Sequence, residues 1–397
     1  MNKKRLGIIS AIATAVLAAS ALVVPSAHAA GKSLVIWSDE SRAKTLREAA
    51  ASWASKNGVT LTVVIKDFGK VKDEFITAGP KGLGPDLIVG PHDWVGQLAA
   101  SGVLDRMVNI DKSAYAASGI QGFSYKGLLY GLPYNVENVA MIVNTKLSPT
   151  IPTTFADLEK TWATLKAAGT AKVGIEVPYG DPYHHMPLFS GLGGYVFGVG
   201  SSGINAKDLG INSKAFAANA SKVDGYFASG LLSKSSNYDF VQWYAGKAPY
   251  MITGPWNLAN VKKSGIPYAI ASVPAVNGTL SRPFVGVNGF MMSKFAANKI
   301  VARQFLTQVA GSDDFQLALY KLGDRLPALK TAAAKVTDKD VAAFGTYGAT
   351  GTPMPNIPQM NSVWDSWGNA WKNVADGKQT AAAAFAQAAA NIKKAIS

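Results

Sequence analysis

Three carboxylates stand where they could do chemistry. Asp93, Glu137 and Asp181 each lie near a Gly/Pro-rich strand end with an aromatic residue close by. In α/β sheets, ligands collect outside the carboxyl ends of strands. A carboxylate beside an aromatic ring suits a sugar: the ring stacks on the apolar C–H face and the carboxylate accepts hydroxyl protons. The same residue types also serve a glycosidase, with one acid and one nucleophile, and Glu137 with Asp93 or Asp181 would be the pair. Spacing along the chain leaves these two chemistries open, together with a third reading in which the acids are simply solvated.

A second cluster is "PQMNSVWDSWGNAW" (358–371), where Trp364, Trp367 and Trp371 recur at i, i+3 and i+7. In a helix all three rings share one face. Such a stripe is ordinary core packing unless its position along the helix axis separates one ring from the others.

Other chemistries are missing. There is no phosphate-binding G-x-x-x-x-G-K-[ST], no G-x-S-x-G and no H-E-x-x-H. One G-x-G-x-x-G runs from Gly198 to Gly203, but polar "INAKDLGINS" follows it where a helix should open, so it reads as a turn. His184 and His185 are adjacent and point apart on a strand or a helix, a poor metal pair, and the chain has no cysteine. No metal or cofactor is expected.

These residues need elements to position them. "SLVIWS" (33–38) reads as a buried strand, followed by a helix with Ser41 as N-cap and Gly58 at its end. "VTLTVVI" and "PDLIVG" read as strands, "KVKDEFITAG" and "WVGQLAASG" as helices. After residue 140 the alternation resumes with "VAMIVNT", a helix opened by the capping box of Thr154 and Asp157, and "KVGIEVP". "PYMITGPW", "PYAIASVP" and "FVGVNGFMM" read as further strands, and "IVARQFLTQVAG", "DDFQLALYKLG" and "TAAAAFAQAAANIKKAI" as helices. Alternation of this kind predicts an α/β fold with parallel sheets. With 397 residues, two domains are expected. No linker separates them, so the chain should cross between lobes more than once.

Residues 1–29 read as a secretory signal peptide: Lys3, Lys4 and Arg5, an apolar run from Leu6 to Val24, then Ala27-His28-Ala29 as the cleavage site. Without cysteine there is neither a disulfide framework nor a lipid-modified N-terminus, so an exported chain free outside the inner membrane is expected. The formal charge is +14, from 39 basic and 25 acidic residues. The lysines are scattered, with no basic stripe and no interleaved aromatics, which argues against nucleic acid.

Taken together, "LVIWS", "GPDLIVGPHDWVGQLAASGVL", "GLPYNVENVAMIVNT", "DPYHHMPLFSGLGGYVFG", "GPW", "RPFVGVNGF" and "MPNIPQMNSVW" stand in the order seen in the maltose/maltodextrin-binding proteins, which the whole mature chain resembles. These are extracytoplasmic receptors of ABC sugar importers. The resemblance implies a two-lobed periplasmic-binding-protein fold with a ligand cleft between lobes and three hinge crossings, near 136–139, 270–275 and 335. The lobes would be 30–136 plus 275–335 and 137–274 plus 336–397. It implies a monomer that captures malto-oligosaccharide and delivers it to permease subunits in the membrane.

Position by position, the resemblance places Asp39, Glu40 and Arg42 in the cleft after the first strand, Arg42 standing where the family has lysine. Asp93 matches a carboxylate that accepts sugar hydroxyls, Glu137 a hinge glutamate, Asp181 and Tyr183 a carboxylate and a stacking tyrosine, and Trp256 and Trp364 two stacking tryptophans. There are departures. Gly90 replaces a tryptophan and Trp94 an arginine, as though the aromatic had moved four positions. His184 replaces a ring, and Gly368 an arginine. Another oligosaccharide, such as a cyclic glucan, therefore stays open as the ligand.

Overall fold

A computed structural model describes residues 32–201, 203–234 and 237–397. The expected signal peptide lies outside the described residues. Two sheets organise the chain into two lobes. The larger has seven strands, in the order Leu326–Pro327, Gly131–Asn138, Phe284–Met292, Leu87–Pro91, Ser33–Ser38, Thr60–Ile65, with Thr352–Pro353 against Phe284–Met292. The smaller has four: Tyr268–Ala271, Ala140–Asn144, Tyr250–Thr253 and Ile175–Glu176.

The expectation of parallel sheets holds only in part. Ser33–Ser38 runs parallel to both of its neighbours, joined by crossover helices. Phe284–Met292, by contrast, is antiparallel to Leu87–Pro91 and to Gly131–Asn138. It returns from the other lobe and so enters the sheet from the opposite end. All nine of its residues are buried, as a strand covered on both faces requires.

The chain passes from the large sheet to the small one at Val139, between Asn138 and Ala140. It leaves the small sheet at Ala271 and re-enters the large one at Phe284. After Leu326–Pro327 it goes back: Val341 and Phe344 pack with Ile142, Met251 and Trp243 of the small-sheet lobe, and Trp367, Trp371 and Phe385 join that lobe's principal core. Among the described residues no helix is long and apolar enough to cross a membrane.

Local signals explain several helix ends. Thr154 Oγ1 accepts from the Asp157 N–H at 3.1 Å and closes the expected capping box. Gly58 ends the first helix at φ +61°, where an L side chain would be strained. The N-cap of that helix is Asp39 rather than Ser41. The strand ends at Ser38 as expected, but the helix begins at Glu40, two residues earlier than a Ser41 cap allows, and the Ser41 hydroxyl turns back to donate to Asp39. The G-x-G-x-x-G stretch forms a hairpin of Phe197–Gly200 and Gly203–Leu209 and holds no phosphate loop.

Candidate functional site

A cavity of about 1040 Å³ lies between the lobes. Every side chain singled out from the sequence as a ligand contact lines it. Asp39, Glu40 and Arg42 come from the first turn after strand Ser33–Ser38. Asp93 and Trp94 come from the turn that follows Leu87–Pro91. Glu137 is the penultimate residue of Gly131–Asn138 and stands at the first crossing. From the other lobe come Asp181, Tyr183 and His184 at the start of helix Pro182–Gly191, Trp256 in the turn after Tyr250–Thr253, and Trp364, the first residue of helix Trp364–Ala375. Glu40 and Arg42, Tyr183 and His184, and Trp364 thus stand in the first turns of three helices, while Asp93, Trp94, Glu137 and Trp256 are set by strand ends and the short turns after them.

The tryptophan stripe divides by depth. Trp367 and Trp371 are 0% and 1% exposed, in a core with Phe189 and Phe385. Trp364 lies one turn nearer the helix start, half-buried, and its Nε1–H donates to Asp93 Oδ2 at 3.0 Å across the cleft. Trp256 lies 6.1 Å from Tyr183, centroid to centroid, and 5.6 Å from His184, which meets it edge-on.

Several polar groups are already engaged. Arg42 pairs with Asp39 and donates from Nη2 to Asn288 Oδ1 at 3.1 Å. Arg325 Nε lies 2.5 Å from Glu137 Oε2, and its guanidinium stands 5.5 Å from the Trp256 ring centre. Asp181 accepts from the Tyr183 N–H at 2.8 Å, from His184 Nδ1 at 2.6 Å and from the Tyr238 hydroxyl at 2.7 Å. Burial alone would raise its carboxyl, but these donors outweigh burial and hold it at about 2. Asp93 goes the other way, pushed up because burial outweighs the nearby His92, Lys72 and Trp364. Four buried atoms on cavity-lining side chains have no partner: Arg42 Nε, Asp93 Oδ1, Tyr183 Oη and His184 Nε2. Unpaired buried groups of this kind cost free energy until something pairs with them.

The departures from the family pattern acquire geometry. A β-carbon on Gly90 would sit 2.3 Å from the Trp94 ring, so the space above position 90 is filled by the indole from 94. A β-carbon on Gly368 would lie 2.8 Å from the Gly180 carbonyl oxygen. Position 368 is thus a close helix approach, and an arginine there would have to displace backbone.

Sequence reading missed Arg325, Tyr238, Asn288, Phe68 and Lys72, all of which line the cavity. Arg325 and Tyr238 sit in irregular stretches with no periodic signal, and Asn288 lies in a wholly buried strand that reads as core. The lining holds eight carboxylates against four Lys or Arg side chains, an inversion of the chain's basic balance. Among the described residues no group of His, Cys, Asp or Glu could hold a metal ion. His92 donates from Nε2 to the Met354 carbonyl at 2.9 Å and accepts from the Val287 N–H at 3.1 Å, which makes it a structural residue.

A family model described as "Bacterial extracellular solute-binding protein" matches residues 48–349. The galactooligosaccharide-binding protein of Bacillus subtilis (strain 168) is 30% identical over 381 residues, 91% of this chain and 89% of its own. The maltodextrin-binding protein MdxE of the same organism is 30% identical over 399 residues, 95% and 94% of the two chains. A maltooligosaccharide ABC transporter solute-binding lipoprotein of Streptococcus pneumoniae (strain ATCC BAA-255 / R6) is 26% identical over 381 residues, 92% of this chain and 89% of its own.

Proposed function

Because the chain belongs to the bacterial extracellular solute-binding protein family, we propose that it captures malto-oligosaccharides in the interlobe cleft and hands them to the permease of an ABC importer. The observation that carries this reading is the two-sided composition of the cavity. Trp256, Tyr183 and Trp364 stand on one wall, and Asp39, Arg42 and Asp93 on the other. Indole and phenol faces take the apolar side of a glucose ring, and the polar wall takes its hydroxyls. A ligand favours the closed form only through contacts absent from the open one, and opposed walls supply them. Hinge closure then signals occupancy to the permease.

The lobes in this reading are 30–136 plus 275–335 and 137–274 plus 336–397, with the leader 1–29 removed. The mature protein is an exported monomer without a lipid anchor. It is read as a binding protein rather than a hydrolase: Glu137, common to both candidate carboxylate pairs, is ion-paired with Arg325, and Asp181 is taken up by its own donors. Incubation with maltotriose should release no glucose.

A second ligand class has support from the galactooligosaccharide-binding relative. The deciding experiment is titration calorimetry with maltose, maltotriose, a cyclodextrin and a galactooligosaccharide. Binding of maltotriose with the tightest affinity supports the main reading, and silence toward maltose and maltotriose overturns it.

A further inference from the structure

Hydrogen-bond accounting around the start of helix Pro182–Gly191 gives Asp181 and His184 different roles. Asp181 Oδ1 accepts from the Tyr183 N–H, which makes it the N-cap of that helix. Its Oδ2 accepts from Tyr238 Oη at 2.7 Å and lies 2.6 Å from His184 Nδ1. A carboxylate with three donors around it is held ionised and has no proton to give. The proton in the His184 contact must therefore sit on Nδ1. In a neutral imidazole the other nitrogen is then an acceptor.

That nitrogen, His184 Nε2, has no partner. The residue is 3% exposed and lines the cavity. Tyr238 and Trp256 stand edge-on to its ring at 5.5 and 5.6 Å. The other two described histidines differ. Both His92 nitrogens are used; His185 Nε2 is also unpartnered, but its ring stacks on Trp371 at 4.2 Å and is no part of the cavity lining, so that nitrogen faces no ligand space.

We propose that His184, held by Asp181 as the Nδ1–H tautomer, presents Nε2 as an acceptor for a hydroxyl donor of a sugar seated against Trp256, and that Asp181 is a positioning residue with no direct ligand contact. The proposal rests on the oligosaccharide reading of the cleft. It makes the site selective at this wall for a donor group, so a ligand offering only an ether or carbonyl oxygen there is rejected.

The test uses the full mature chain and maltotriose. Imidazole 15N spectra of the sugar-free protein at neutral pH should report His184 as neutral with the proton on Nδ1. Asp181→Asn keeps a good helix cap, but its amide now donates to Nδ1 and should move the imidazole proton to Nε2. Maltotriose affinity should then drop by about tenfold or more, the range for setting a buried donor against a donor. His184→Phe should cost about as much, and His184→Gln, which returns an acceptor oxygen, should recover part of it. In the His184→Phe background, Asp181→Asn should cost almost nothing further.

Full additivity of the two substitutions, an Nε2–H tautomer or an imidazolium in the wild-type spectrum, or undiminished affinity in His184→Phe would each overturn the proposal. Should maltotriose fail to bind the wild type, the oligosaccharide reading falls, and the tautomer spectra of wild type and Asp181→Asn still decide the Asp181–His184 relationship.

Discussion

The indole Nε1 of Trp364 donates to Oδ2 of Asp93 at 3.0 Å, joining the first turn of a helix in one lobe to the turn after a strand in the other. The bond engages one carboxylate oxygen and leaves Oδ1 without a partner. Trp364→Phe keeps a ring and deletes the donor. Maltotriose affinity is expected to fall by about threefold to tenfold, in keeping with one lost hydrogen bond of about 1 kcal/mol. Trp364→Ala should lose more, since the stacking face goes too. Calorimetry distinguishes the two.

Trp256 has no bond across the cleft and offers its ring. Trp256→Ala should weaken binding at least about tenfold, about 1.4 kcal/mol or beyond. The measurement is the calorimetric Kd, with circular dichroism as the check on folding. Unchanged affinity would remove the stacking wall from the reading.

Trp371 is the contrast within the same helix. It is 1% exposed and packs on Phe385 and His185. Trp371→Ala should cost about 3–5 kcal/mol of stability through the cavity it leaves. It should leave the affinity of the still-folded protein close to wild type. A urea midpoint shift without a matching Kd change is the expected pair of results.

His185 predicts a pH dependence of stability. Burial pushes its imidazole down from 6.5 to about 4. As pH falls between those values the unfolded chain takes up the proton and the folded one does not. Stability is therefore full above about pH 6.5 and declines toward pH 4, by on the order of 3 kcal/mol. His185→Asn, which keeps a donor near Nδ1, should flatten the dependence of the urea midpoint across that interval.

The charge of the cavity lining makes a fifth distinction. With eight carboxylates against four basic side chains, a ligand carrying a carboxylate should be repelled although the protein as a whole is basic. Maltotriose bearing one glucuronic unit is expected to bind at least about tenfold more weakly than maltotriose, with the gap narrowing as salt screens it.

The sequence determined most of the strands, the capped helices, the lobe count and the shared face of the tryptophan stripe. These depend on local periodicity and on capping groups, which are written in consecutive residues. Strand ends and Gly/Pro turns marked Asp93, Glu137 and Asp181, because these are where an α/β sheet presents side chains; Asp39, Glu40, Arg42, Tyr183, Trp256 and Trp364 came from the resemblance to the maltodextrin-binding proteins.

Only the tertiary structure decided what each group is free to do. Arg325 reaches Glu137 from 188 positions away, and Asn288 meets Arg42 across 246; no local pattern encodes either contact. Gly90 and Gly368 read as missing side chains in the sequence, and in three dimensions they are places where a ring and a backbone carbonyl already fill the space. Asp181 reads as an open carboxylate until its three donors are counted. Availability for a ligand is what remains after a group's neighbours have been satisfied, and those neighbours are fixed by packing between segments far apart in the chain.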